Sequence, residues 1–282
     1  MPIRRTSNKS SYDSGFYNPE VYSDVGSRVV TDFDPNAFAY LSAVEAADGQ
    51  ALEYAVKVAV NNFVVGCKAD GIWTAIKASC ILAGARTLAG ALVPLVGTAP
   101  TNNNFVSGDY NRETGLVGNG STKYLNSNRN NNADPQNSNH NAVWLSTYTS
   151  GDQYLMGDYF LNGSNFLLAR DSAAFFRNRF NGTGGGESFA ATGSQFPGGL
   201  FGMSRTSSSS VNVTYKQTSG QVFSSNSETS STPTSTNIDV FRLDTAYSNC
   251  RLAFYSIGES LNLTLLDTRV TTLINAIVAA IP

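Results

Sequence analysis

The chain has 282 residues, of which 41% are hydrophobic and only 14% are charged, compared with about 25% charged residues in an average soluble domain. This length is sufficient for one large domain with a well-packed core, whose surface must draw its polarity from Ser, Thr, Asn and Gly. The net charge of −2 excludes the basic surface on which binding to nucleic acid or to anionic lipid depends, so neither partner is expected.

The cysteines and the most apolar stretch bear on disulfides and on membranes. Three cysteines are present: Cys67, Cys80 and Cys250. Their odd number and the lack of a Cys-x-x-Cys pair favour buried free thiols.

Residues 1–11 contain no apolar run, so no secretory signal is expected. Residues 72–96 include Lys77 and Arg86, two cations that a membrane-spanning helix would rarely hold, so no membrane insertion is expected.

Residues 1–33 are predicted to form an extended arm, because they combine Arg, Ser, Asn and Gly with no apolar periodicity. Four aromatic residues recur within this arm: Tyr12, Phe16, Tyr17 and Tyr22. A simple flexible tail would lack such residues, whereas aromatic side chains are suited to filling pockets on a partner. The arm is therefore predicted to dock on a neighbouring protein through these four side chains.

Residues 34–91 are predicted to be a helical segment. Asp34 is a favourable N-cap and Pro35 a favourable first helical residue. Asp48 is expected to cap a second helix, and a further turn or short helix is expected to start at Asp70. The apolar residues of the second helix recur with helical spacing: Leu52, Val56, Val60, Phe63 and Val64.

Residues 92–258 are predicted to fold as an antiparallel jelly-roll β-sandwich, because short β-rich runs alternate with turn residues. These runs are 105–106, 123–125, 142–145, 154–156, 159–161, 166–168, 174–180, 211–215, 238–243 and 251–257. Residues 126–141, rich in Asn, and residues 224–237, rich in Ser and Thr, are expected to be surface loops. Residues 259–282 are predicted to close the chain with a helix that packs on the sandwich. Its apolar stripe comprises Leu266, Val270, Leu273, Ile274 and Ile277.

Four motifs occur in order along the chain and resemble one protein family. They are Asp70-Gly71-Ile72-Trp73, Gly118-Asn119-Gly120-Ser121-Thr122-Lys123-Tyr124-Leu125, Met203-Ser204-Arg205-Thr206 with the serine run that ends at Val211, and Arg251-Leu252-Ala253-Phe254-Tyr255-Ser256-Ile257-Gly258. With the helix–strands–helix frame, the chain from about residue 34 to residue 282 is similar to the concanavalin A-like (LamG-type) jelly-roll domains common in bacteriophage structural and tail proteins. The resemblance implies this fold and a place in a virion; the arm lies outside it.

Catalysis is not expected, and no catalytic residue is predicted. The glucanases of this fold class use paired carboxylates in the pattern Glu-x-Asp-x-Glu, which does not occur here. Asp152 and Asp158 could face a common site, but solvated loop residues are the better interpretation. His140 is the only histidine and falls within the Asn-rich stretch, a poor place for a preorganised site. Gly184–Gly186 lacks the context of a phosphate loop and is interpreted as a hairpin tip.

The Asn-rich stretch holds the weak candidates for contact with a glycan or an ion. Asn128, Asn130, Asn132 and Asp134 offer oxygen atoms at alternate positions. Calcium binds such oxygens, but only one of these residues is charged, so a polar turn-rich loop is the favoured interpretation and no metal or cofactor is predicted. Trp73 and Trp144 are interpreted as core residues rather than as platforms for sugar.

Taken with these features, the resemblance implies a bacteriophage virion structural protein, a tail-fibre or receptor-binding component that contacts glycan on the host surface. The alternative is a capsid decoration (cement) protein, and a polysaccharide-degrading enzyme is a distant third. Other virion proteins and further copies of the chain, arranged as a homotrimer, are the expected partners, since weak single-site glycan binding gains from avidity. The protein is expected to assemble in the host cytoplasm and to leave by lysis.

Overall fold

The computed structural model describes residues 33–159, 162–170, 175–183, 187–190 and 196–282. By its internal contacts the chain divides into residues 1–33 and residues 34–282, and the fold below is that of the second unit. The arm residues Tyr12, Phe16, Tyr17 and Tyr22 and the tip Gly184–Gly186 lie outside the described residues.

Four α-helices occur within the described residues: α1 (Pro35–Asp48), α2 (Tyr54–Ala69), α3 (Leu88–Ala91) and α4 (Leu263–Ala280). The predicted start of α1 is confirmed, since Pro35 is its first residue and the Asp34 carboxylate accepts a 2.9 Å hydrogen bond from the Asn36 amide. The predicted cap at Asp48 is wrong. Its carboxylate instead accepts the backbone N–H groups of Arg86 and Thr87, at 2.7 and 2.8 Å, and so ties the end of α1 to the segment before α3.

Seventeen strands complete the described fold. In chain order they are β1 (Ile76–Ile81), β2 (Thr101–Asn103), β3 (Tyr110–Asn111), β4 (Gly115–Val117), β5 (Tyr124–Asn130), β6 (Asn139–Thr147), β7 (Asp152–Gly157), β8 (Asn165–Arg170), β9 (Phe175–Phe180), β10 (Glu187–Ala190), β11 (Gly199–Arg205), β12 (Ser210–Gln217), β13 (Gly220–Ser227), β14 (Asn237–Val240), β15 (Arg242–Leu243), β16 (Ala246–Tyr247) and β17 (Arg251–Gly258). Short 3₁₀ turns lie at Trp73–Ala75, Ser107–Asp109 and Asn131–Ala133.

Fifteen of the strands form two packed antiparallel sheets, which confirms the predicted jelly-roll sandwich flanked by helices, and β15 and β16 form a separate two-stranded sheet. The eight-stranded sheet has the order β13-β12-β11-β6-β17-β4-β3, with β1 also beside β17; the seven-stranded sheet has the order β10-β9-β8-β7-β14-β5-β2. The core between them includes Leu125, Val143, Leu145, Leu155, Leu167, Phe176, Phe180, Phe201, Met203, Val213, Val240 and Tyr255. Phe176 and Phe201 join the sheets edge to face, with ring centroids 5.8 Å apart.

The predicted closing helix is confirmed, and it covers the outer face of the eight-stranded sheet. Within the described residues α4 is the one helix long and apolar enough to cross a membrane, and its stripe of Leu266, Val270, Leu273, Ile274 and Ile277 is buried in this fold. α4 packs on α2, β11 and β12. The Arg269 guanidinium also pairs with Asp70, just beyond the end of α2, at 2.7 Å.

Several sequence boundaries were wrong because pairing between distant strands overrode local composition. Residues 34–91 are not wholly helical: β1 pairs with β17, and Ala78 and Cys80 face the sandwich core. The Asn-rich stretch is not one loop, since β5 and β6 enter it from both sides, and β13 enters the Ser/Thr-rich stretch. Trp73 and Trp144 are half-buried rather than fully buried. The three cysteines are buried free thiols, as predicted.

Candidate ligand-binding groove

A surface groove of about 640 Å³ lies where the outer face of β12 and β13 meets the start of α4. We call it the polar groove. It is lined by Thr206, Asn212, Val213, Phe223, Ser224, Ser225, Ser260, Leu261, Asn262, Leu263 and Thr264. Three separate parts of the chain therefore contribute to it: the turn after β11, the β12–β13 hairpin and the segment that leads into α4.

The floor of the groove follows from strand alternation. On β12, Val211, Val213 and Tyr215 point into the sandwich core, which directs Asn212 to the opposite face. Asn212 pairs in register with Ser225 on β13. Phe223 lies two residues before Ser225 and therefore on the same face, where 44% of its surface is exposed.

The wall of the groove is held by hydrogen bonds that fix the entry into α4. The Ser204 hydroxyl donates to the Leu261 carbonyl at 2.9 Å and accepts the Leu261 amide at 3.1 Å. The Ser260 hydroxyl lies 2.9 Å from that of Ser138. The Asn262 side chain accepts the Thr264 amide at 2.9 Å and thus caps α4. The floor is therefore regular β-structure and the wall is fixed by hydrogen bonds, so the groove already has its shape before a ligand binds.

The described residues that line the groove are uncharged. They include neither Asp, Glu, His, Lys nor Arg, and their polar groups are the hydroxyls of Ser and Thr and the amides of two Asn residues. Phe223 adds an exposed aromatic face, and Leu261 and Leu263 add apolar surface. This combination can bind a neutral ligand with many hydroxyl groups and one apolar face, but it supplies no general acid, general base or charged nucleophile.

His140 does not lie in a surface loop, and the sequence interpretation was wrong on this point. It is a residue of β6, fully buried, with Nδ1 2.6 Å from the Glu259 carbonyl oxygen and Nε2 2.7 Å from the Ser256 hydroxyl. Burial disfavours the imidazolium and lowers the pKa of His140 to about 4. Both ring nitrogens are therefore engaged in holding β6 against β17 and the segment after it, which is a structural role.

The two carboxylates considered as a pair lie at opposite ends of one strand. Asp152 is the exposed first residue of β7, and Asp158 is a buried residue just beyond its last. At 3.3 Å per residue in a strand they lie about 20 Å apart, too far for the carboxylates of a glycosidase. Asp158 accepts the Asn165 amide at 2.6 Å, bonds to Thr234, and has a pKa raised by burial. It therefore secures the turn between β7 and β8.

Asp158 has a different carboxylate neighbour, Asp239 on β14. Burial, with a smaller contribution from the charge of Asp158, raises the pKa of Asp239 to about 6. Asp239 pairs with Arg242 at 2.6 Å, and that guanidinium lies 3.7 Å from the centre of the Tyr124 ring. Only 2% of Asp239 and 6% of Asp158 are exposed, so a substrate cannot reach these two carboxylates in this structure. Asp239 instead positions the Arg242 guanidinium.

The residues suggested for weak glycan or ion contact make hydrogen bonds to three different parts of the fold. The Asn128 amide donates to the Ala99 carbonyl at 2.8 Å, and the Asn130 amide donates to the Ser235 carbonyl at 2.6 Å. Asp134 is 7% exposed, and its two carboxylate oxygens accept hydrogen bonds of 2.5 and 2.8 Å from the Arg129 guanidinium in a bidentate ion pair. A cation at Asp134 would have to displace the Arg129 guanidinium. Among the described residues no group of three or more His, Cys, Asp or Glu side chains is arranged to hold a metal ion.

The sequence did not identify the polar groove, although one signal for it was present. The alternation in residues 211–215 correctly directs Asn212 outward. What could not be deduced locally is that β13 pairs beside β12 and that Asn262, more than forty residues after the start of β13, returns to the same face. The groove therefore depends on tertiary contacts, unlike the Asn-rich stretch, which is conspicuous in composition alone.

Comparisons with known proteins give similarity to solved structures only. No family model matches the chain, and no curated protein matches it. The solved structures that resemble it include a sialidase from Trypanosoma rangeli (11% identity, 71% of this chain and 32% of that chain, TM-score 0.43). They also include a galectin from Caenorhabditis elegans (8% identity, 44% of this chain and 84% of that chain, TM-score 0.29) and the binding domain of a botulinum neurotoxin (10% identity, 55% and 39%, TM-score 0.35). Of the three solved structures that match first, two of them sialidases, this chain spans about a quarter to a half of the length. At such identities and TM-scores the resemblance says nothing about ligand or reaction.

Proposed function

We propose that this chain is a non-catalytic, glycan-binding structural protein of a bacteriophage particle, with the polar groove as its sugar site. The observation that carries the proposal is the pairing of an exposed aromatic ring, Phe223, with uncharged amide and hydroxyl groups on a preformed surface. A pyranose ring has an apolar face that packs on an aromatic side chain and a rim of hydroxyls that need donors and acceptors. The polar groove offers both within one concave site.

The absence of charge from the groove supports binding rather than hydrolysis. Cleavage of a glycosidic bond uses two carboxyl groups placed on either side of that bond. None of the described residues that line the polar groove carries a carboxyl group. The buried pair belongs to the other sheet, since Asp239 lies in β14 and Asp158 directly follows β7. Incubation of the protein with bacterial envelope polysaccharide is therefore expected to release no reducing ends. Release that is lost in an Asp158→Asn or Asp239→Asn variant would contradict this part of the proposal.

The virion assignment rests on the sequence resemblance to phage jelly-roll domains and on the aromatic-bearing arm. In this proposal residues 1–33 attach the protein to other virion proteins, and the groove faces outward to the host surface as part of a tail fibre. Labelling of the protein in intact particles tests the location: label on the tail is expected. Label on the head would instead identify a capsid decoration protein.

The glycan site is tested by direct binding with a matched pair of variants. Binding to a panel of bacterial surface oligosaccharides is measured for the parent protein, for Phe223→Ala and for Phe38→Ala. Phe38 is the control because it is a 57% exposed phenylalanine on α1, outside the groove. Loss of the Phe223 ring should weaken binding about tenfold, the effect of about 1.4 kcal/mol, whereas Phe38→Ala should bind as the parent does. Equal binding by all three proteins would overturn the proposed site.

A further inference from the structure

We infer that β13 is a dimerisation edge, at which a second copy of this chain pairs antiparallel with the same strand. β13 is the terminal strand of the eight-stranded sheet, and within the described residues it pairs only with β12. One row of its backbone N–H and C=O groups is therefore directed away from the sheet. Such a row is a template for another extended strand.

The sequence and regularity of β13 provide none of the features by which strands themselves protect a sheet edge. Edges are usually blunted by charged side chains, by proline, by a bulge or by short length. β13 is eight residues long, and all eight pair with β12 in continuous register without a bulge. Its sequence, Gly-Gln-Val-Phe-Ser-Ser-Asn-Ser, contains no charge and no proline. Two copies can therefore approach edge to edge without charge repulsion.

The other sheet edges in the described part of the chain are shorter or covered. β2, β3 and β10 have three, two and four residues. β1 has Val96 bridged beside Ser79 on its free side. This contrast singles out β13 as the long, regular edge of the fold.

Side chains on β13 point to the same conclusion. Phe223, Ser225 and Ser227 are exposed at alternate positions on the outer face of β13. The outer face of β13 is therefore uncharged, and a partner of matching chemistry is an uncharged β-strand such as β13 itself.

The symmetry of this pairing has a geometric consequence for the polar groove. Identical neighbouring strands that run antiparallel in one sheet are related by a two-fold axis perpendicular to that sheet, so the same face of each copy points to the same side. The floor formed by β12 and β13 then continues into β13 and β12 of the second copy, with one α4 helix at each side. Two grooves form one trough suited to an extended polysaccharide. The pairing itself does not depend on the glycan proposal; only this consequence rests on it.

Sedimentation velocity over a range of protein concentrations, without any sugar, tests the inference. The parent protein is expected to form a dimer, which replaces the homotrimer that was expected from the sequence. A Ser225→Lys/Ser227→Lys variant places two positive charges per copy on the outer face of β13. These charges should raise the dimer dissociation constant at least tenfold. The control is Ser42→Lys/Ser121→Lys, which adds the same charge at two exposed serines outside β13 and should dimerise as the parent does. Equal melting temperatures of the two variants establish that both are folded.

Hydrogen exchange locates the contact independently. Amides of residues 220–227 should exchange more slowly at concentrations where the dimer dominates, and amides of α2 and α4 should not change. A monomeric or trimeric parent protein, a dimer unaffected by the β13 lysines, or protection that maps to the helices would each overturn the inference. Loss of sugar binding in Phe223→Ala with the dimer retained would leave it intact, because the dimer is measured without ligand.

Discussion

The buried imidazole of His140 makes a sharp prediction about stability and pH. His140 is fully buried in β6, and its pKa is lowered to about 4, whereas a histidine in the unfolded chain titrates near 6.5. Well above pH 6.5 the ring is neutral in both states and pH has almost no effect through it. As the pH falls below 6.5, the unfolded chain binds a proton that the folded protein refuses, so the folded state loses stability until the pH approaches 4.

The size of this effect follows from the two pKa values. Between pH 7.5 and pH 4.5 the linkage relation gives a loss of about 2.5 kcal/mol of unfolding free energy from His140 alone, a substantial part of the 5–15 kcal/mol typical of a domain. Asp158 and Asp239 act in the opposite sense. Their raised pKa values mean that stability is lost as the pH rises from about 4 through the folded pKa. The pH profile of the parent protein alone therefore mixes opposing contributions.

Comparison with a His140→Asn variant isolates the histidine. Asn retains a polar side chain but does not titrate, and both proteins contain Asp158 and Asp239. Urea unfolding at pH 7.5 should show the variant to be less stable, because it loses hydrogen bonds to Glu259 and Ser256. At pH 4.5 the difference between the two proteins should shrink by about 2.5 kcal/mol. A difference that is the same at both pH values would refute the assignment of a neutral buried imidazole.

Two further predictions concern packing. Val270→Asp places a charge in the fully buried stripe of α4 and should cost about 3–5 kcal/mol, whereas Thr272→Asp on the exposed side of the same helix should melt within a few degrees of the parent. Similar melting temperatures for the two variants would show that the stripe is not a core face. Gly115 has a φ of 92°, and an added Cβ would lie against the Leu252 carbonyl and 2.7 Å from the Ala253 Cα, so Gly115→Ala should lower the melting temperature strongly. At Gly108 an added Cβ would meet no atom within 4 Å beyond the adjacent residues, so the same change should have little effect. A mild Gly115→Ala variant would mean that β4 can shift away from β17.

Elements defined by local patterns were predicted well from the sequence. The cap at Asp34 and the apolar stripe of α4 depend on residues within a few positions of one another, and both are confirmed. The alternation around Val211 likewise identified β12 and its buried face. In each case local chemistry and the tertiary environment favour the same structure.

Elements that depend on distant pairing were missed. β1 has helical neighbours in the sequence and becomes a strand because β17, more than 170 residues later, completes its hydrogen bonds. His140 stands among asparagines that resemble a loop, yet the pairing of β6 with β11 and β17 buries it. The polar groove has the same origin, since Asn212, Phe223 and Asn262 meet only in the folded chain. Local composition carries no signal for such contacts.

The most direct test of the glycan-binding site is a crystal structure of the protein with a bacterial surface oligosaccharide that it binds in solution. A sugar ring is expected against Phe223, with its hydroxyls within hydrogen-bonding distance of the Asn212 and Asn262 side chains. A sugar bound elsewhere, with the polar groove empty, would contradict the account.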